Sequence, residues 1–159
     1  NKHQREGRKM KTLTLALGIA LLLATQALAG NKADAKWLTD FDQALKDAEK
    51  KELPILIDFS GSDWCGWCIK LDNEVFSKKE FKKYAEENLI LVLADFPSAK
   101  TQSDEVKKQN QGLAEKYGVR GFPTVLLLDK NGKELARTGY QRGGAEKYVS
   151  HLKKLLKKK

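Results

Sequence analysis

Short apolar runs that alternate with amphipathic helical stripes and end in a hairpin signal predict an α/β sandwich, a central mixed β-sheet flanked by helices. Three runs carry that expectation: residues 55–59 (ILIDF), 89–94 (LILVLA) and 124–128 (TVLLL). Runs this short and continuous fit strands buried on both faces. The 159 residues, 41% hydrophobic and 32% charged, suffice for one such core and exclude a disordered, collagenous or disulfide-framework chain. The sequence carries no internal repeat and no sign of a second domain.

Residues 1–29 stand apart. Arg8, Lys9 and Lys11 precede an apolar run from Leu13 to Ala24, and Ala27-Leu28-Ala29 follows. A basic region, a short apolar stretch and an A-x-A site are the parts of a secretory signal peptide, with Met10 the expected start and cleavage expected after Ala29. The run is shorter than the ~20 residues a membrane span needs. Its removal takes Lys2, Arg5, Arg8, Lys9, Lys11 and Glu6, so the formal charge falls from +9 to +5. Residues 30–159 are the expected folded domain.

The elements follow in order. Thr39-x-x-Asp42 reads as a capping box for a helix with Phe41, Leu45 and Ala48 at helical spacing up to Lys51. Pro54 punctuates before the first strand, whose one charged residue, Asp58, is out of place in an apolar run. Ser60-Gly61-Ser62-Asp63 is turn chemistry, and Trp64-Cys65-Gly66-Trp67-Cys68 leads into a helical pattern of Ile69, Leu71, Val75 and Phe76. Ser77-x-x-Glu80 reads as a second capping box, for a helix through Phe81 and Tyr84 to Glu87. After the second strand, residues 97–110 form a polar loop entering a helix that continues to Tyr117 and stops at Gly118. Asn131-Gly132 joins the third strand to residues 133–137 as a hairpin. Residues 145–159 place Tyr148, Val149, Leu152, Leu155 and Leu156 on one stripe, a final helix packed on the sheet.

The two cysteines therefore sit where a strand passes through a loop into a helix N-terminus. A four-ligand zinc site would need both histidines or a carboxylate, and His3 lies in the expected leader. The residue after Cys68 is Ile69, so the haem-attachment signature is absent. No metal and no diffusible cofactor is expected. A bridge across so short a loop removes little chain entropy, which favours a chemical over a structural use. At this spacing, Cys65 faces free backbone N–H groups that favour its thiolate, making it the expected attacking nucleophile. Cys68, one turn on, would resolve the mixed disulfide. The other reading is an inert pair, a structural disulfide in a redox-inactive peptide-binding module.

Asp58-Phe59, Trp64-Cys65-Gly66-Trp67-Cys68 and Tyr117-Gly118-Val119-Arg120-Gly121-Phe122-Pro123-Thr124 together resemble the thioredoxin family, and Gly61-Ser62-Asp63-Trp64-Cys65 resembles its exported bacterial, disulfide-isomerase-like members. The resemblance spans most of residues 37–159 and implies a thioredoxin-like fold. It also implies a protein thiol–disulfide oxidoreductase, reductase or isomerase, whose redox-active disulfide is Cys65–Cys68. Pro123 matches the family's cis-proline, which would let Phe122 offer main-chain hydrogen bonds to an extended client. Asp58 matches the buried carboxylate beneath the resolving cysteine, a proton acceptor whose pKa burial would raise; the alternative is a strand-end residue that reaches solvent. Three departures stand out: a loop from Asp58 to Cys65 one residue longer, Leu91 where thioredoxin has a lysine paired with the carboxylate, and Trp67 where it has proline.

Trp64, Gly66, Trp67, Phe122 and Pro123 are the expected client-binding residues, with Trp64 packed on the domain and Trp67 alone exposed. Expected partners are client proteins with cysteines or disulfides and a membrane or periplasmic redox partner, for a monomer in the periplasm or otherwise outside the cell. The lysines at 153–154 and 157–159 read as a solvated helix face, not a nucleic-acid or membrane site. His151 reads as structural.

Overall fold

The apolar run around Asp58 forms β2 (Ile55–Ser60), all six residues buried, at the centre of the sheet. The computed structural model describes residues 36–157, so the expected leader and its cleavage site lie outside the described residues. Among these, β1 (Trp37–Leu38) precedes α1 (Phe41–Lys51), and β2 leads into α2 (Gly66–Leu71), which continues directly as a π-turn (Asp72–Phe76). Then come α3 (Lys79–Asn88), β3 (Ile90–Asp95), α4 (Asp104–Lys116), β4 (Thr124–Leu128), β5 (Glu134–Thr138) and α5 (Gly144–Lys157).

The strand order is β1-β3-β2-β4-β5. β1 and β2 run parallel to β3, and β4 runs antiparallel to both β2 and β5, so the sheet is mixed as the alternation of elements predicts. The central strands read as continuous apolar runs because helices cover both faces. Leu56, Leu91, Val125 and Leu127 face the layer of the π-turn, α3 and α5. Ile55, Ile57, Phe59, Val92 and Leu126 face α1 and the Leu113–Tyr117 end of α4.

Helix boundaries show which local signals act. The cap of α1 is Asp40, whose carboxylate accepts the N–H of Gln43 at 2.9 Å, not Thr39. The expected cap at Ser77 is also displaced. Its hydroxyl donates back to Asn73 O, and α3 begins after Lys78 without a side-chain cap. The helical spacing of Leu71, Val75 and Phe76 hides the wider π-turn, because all three still reach the core. β1 is unpredicted: two residues, paired with Leu91 and Val92, are too few to show a period. α4 stops where Gly118 takes φ +58, a left-handed conformation that a glycine adopts without a Cβ clash.

Tyr117 secures the hairpin to this helix end, its buried hydroxyl donating to Gly132 O at 2.7 Å. Tyr117→Phe should leave that carbonyl unpaired and cost about 1–3 kcal/mol. A urea midpoint equal to that of the wild type would show that the hydroxyl does not hold the turn.

Candidate functional site

Cys65 is the cap of α2. Its Sγ accepts the N–H of Cys68 at 3.2 Å, filling the place usually taken by a serine or aspartate oxygen. The two sulfurs are joined in a disulfide, and both cysteines are buried, at 8% and 3% exposure. The Phe122–Pro123 peptide bond is cis. Gly66 has no heavy atom within 4 Å of where a Cβ would stand, so the space above the first helical residue is open.

The loop before the cysteines is tied down at three points. Asp95, at the end of β3, accepts from both the N–H and the hydroxyl of Ser62, at 2.9 and 2.6 Å. The Asp63 carboxylate accepts the N–H groups of Ser98, Ala99 and Lys100, which hold its pKa below the usual carboxylate value. The Trp64 indole donates to Phe96 O at 2.7 Å. That indole lies over Gly61, where a Cβ would fall 2.5 Å from its ring, and meets Phe122 edge-on at 5.9 Å.

Being held does not bury Trp64. It is 54% exposed against 53% for Trp67, so the expectation that Trp67 alone is exposed is corrected. Trp64 is fixed along one edge only, and its outer face stays open. Trp67 packs on Tyr140, with ring centroids 5.2 Å apart.

Asp58 is buried, and its Oδ1 has no hydrogen-bond partner. By strand alternation it faces the same side as Leu56, toward α2 and the π-turn. It therefore does not reach solvent. Burial first, then the like charges of Asp72 and Asp95, push its pKa from 3.8 up to about 8. The strand register aligns Asp58 with Leu93; Leu91 stands opposite Leu56, two pairs away. The neighbouring β3 side chain is thus apolar, and no cation contributes to the shift.

Tyr140, Glu74, Lys70, Asp95 and Phe96 are part of this site and were not singled out by sequence. An isolated tyrosine between a strand and a helix carries no periodic signal; only its position beyond the hairpin, in the last turn before α5, hints at the rim. His151 bonds Thr138 Oγ1 at 2.9 Å, away from the cysteines in sequence and in partners. Among the described residues no cluster of three or more His, Cys, Asp or Glu is placed to hold a metal.

The sequence pattern of the Thioredoxin-like domain matches residues 41–156. The chain belongs to the thioredoxin-like family. This thioredoxin-like chain is similar to the disulfide bond reductase DsbH of Chlamydia pneumoniae, 40% identical over 125 residues that cover 79% of this chain and 75% of that protein. It is also similar to the thioredoxin-related protein DsbJ of the same organism, at 31% identity over 83% of this chain but 38% of that one. A solved DsbH oxidoreductase superposes with a TM-score of 0.75 at 38% identity, over 87% of this chain and 94% of that one. These relatives do not favour the redox-inactive module with a structural disulfide.

The buried carboxyl makes a stability prediction. Between pH about 4 and 8 the folded Asp58 keeps a proton that the unfolded chain has released, so its contribution is fully present below pH about 4 and is lost as pH rises through about 8. The urea midpoint of the oxidised protein should fall across that window, and Asp58→Asn should flatten the fall. Parallel profiles for the two proteins would contradict the shift.

Proposed function

We propose that this thiol–disulfide oxidoreductase works as an exported disulfide reductase. The reading is carried by the Cys65–Cys68 pair at the start of α2, with the Cys65 sulfur accepting a backbone N–H. Once the pair is reduced, the same N–H favours the Cys65 thiolate over the thiol. Similarity to a protein named a disulfide bond reductase supports the reducing direction. The basic, apolar and A-x-A segments of residues 1–29 support export to the periplasm, and among the described residues no helix is long and apolar enough to cross a membrane.

In the proposed reaction the Cys65 thiolate attacks one sulfur of a client disulfide. A Cys65–client bond forms and the client's other sulfur leaves as a thiolate. Cys68 then gives its proton to the ionised form of the Asp58 carboxyl and, as a thiolate, attacks the Cys65 sulfur. The mixed bond breaks, the client leaves with two thiols, and the protein holds the Cys65–Cys68 disulfide. Two electrons have passed to the client, and a dithiol partner in the membrane or periplasm must return them. The Asp58 value of about 8 lies close to the ordinary thiol value of roughly 8.5, so a proton passes between them with little free-energy change. No diffusible cofactor enters these steps. Trp64, Gly66, Trp67 and the Phe122–Pro123 backbone form the surface on which the client lies, as a monomer would present it.

Cys65→Ser should abolish reduction of a protein disulfide. Cys68→Ser should still attack and accumulate a mixed disulfide with the client, seen on a non-reducing gel. A reduction potential near about −270 mV in glutathione or dithiothreitol buffers fits a reductase. Activity that survives Cys65→Ser would overturn the reading.

A further inference from the structure

Among the described residues the large hydrophobic side chains left exposed are Trp64, Trp67 and Ile69, and each is the sequence neighbour of a cysteine. Exposed apolar surface is thus gathered at the disulfide, where a client would meet it. The two tryptophans are supported differently. Trp64 rests on the sheet end, through Phe96 O, Gly61 and Phe122. Trp67 rests on a separate cluster.

In that cluster the Trp67 and Tyr140 rings meet at 5.2 Å with their planes tilted by 44°. Lys70 Nζ lies 5.3 Å from the Trp67 ring centre and 5.5 Å from that of Tyr140. It also pairs with Glu74 at 3.7 Å, and the Tyr140 hydroxyl donates to the same carboxylate. Glu74 comes from the π-turn and Tyr140 from the turn between β5 and α5, so two distant segments converge beside Cys68. An exposed lysine–glutamate pair adds little to stability by itself. Its consequence here is orientation: Tyr140 is fixed, and the lysine charge is matched by Glu74 and by the two rings. What the wall presents outward is the half-open indole and the tilted phenol ring, an aromatic notch with the Arg142 charge near Tyr140.

We propose that Tyr140 is a specificity-determining residue of the exchange reaction, forming with Trp67 a wall that takes an aromatic side chain next to the client's reacting cysteine, and that Glu74 is the positioning residue holding Tyr140 there. The inference rests on the oxidoreductase reading above. An aromatic client side chain gains ring-to-ring contact beyond the area it buries, which an aliphatic one of similar size does not.

The test compares three substrates of the reduced protein: two disulfide-bonded peptides that differ only in Phe or Leu beside the cysteine, and glutathione disulfide. The wild type should favour the Phe peptide over the Leu peptide by ~3- to 10-fold in kcat/KM, chiefly through KM. Tyr140→Ala should bring that ratio close to one. Glu74→Gln and Tyr140→Phe, which keep the ring and weaken or remove its tether, should reduce the ratio in part. They also carry the test if the alanine variant does not fold. A merely structural role would lower all three substrates alike and leave the ratio intact, which overturns the proposal, as does a wild type without preference. A wild type inert toward all three overturns the oxidoreductase reading and this inference with it.

Discussion

The hydrogen bond from the Cys68 N–H to the Cys65 sulfur is the constraint around which the rest of the molecule is arranged. It requires the chain to leave the sheet, turn, and enter a helix with a sulfur at the capping position. Asp40 and Ser103 cap α1 and α4 with oxygen, so a sulfur cap marks α2 as different from those helices. β2 provides the fixed origin for that turn because it lies between β3 and β4 and is buried throughout. The loop that follows lacks a core of its own, and it is held by Asp95 at Ser62 and by Asp63 at residues 98–100.

Asp58 is the place where the fold works against itself. A carboxyl buried in the middle of β2, with one oxygen unpaired and two acidic neighbours, is a local conflict that a leucine would remove. The conflict is lessened by protonation, which is why the group stays neutral well above the ordinary carboxylate range. The same burial that keeps the group protonated gives its ionised form the proton affinity that an acceptor for a thiol of ordinary value, roughly 8.5, needs. The reading of Asp58 as a relay and its cost to stability are thus two consequences of one burial.

Much of this was legible in the sequence, and the residues show why. The three apolar runs became β2, β3 and β4, and β4 matched in both bounds, because a strand covered on both faces is apolar without interruption. The cysteines stood at the strand-to-helix junction the turn residues indicated. What failed was local competition. Thr39 and Asp40 both can cap, and position relative to the helix decides between them; Ser77 is drawn back to the π-turn before it can cap α3. β1 exists only because β3 offers it an edge. Trp64 was expected to pack and does, yet it remains half exposed, since one hydrogen bond and one glycine seat fix an indole along an edge without covering its face.

Tyr140 shows the deeper limit of reading along the chain. It meets Glu74 from 66 residues away in sequence, and Trp67 from further still. Neither hairpin nor helix signals point to that meeting, which depends on α5 and β5 packing against the π-turn and helix layer. The two walls beside the disulfide consequently differ in origin: one belongs to the sheet ends and inherits their rigidity, while the other is assembled from two surface segments joined by a carboxylate. A change in client preference is more easily accommodated on the second wall, because its contacts can be altered without disturbing β2, the Cys65 cap or Asp58.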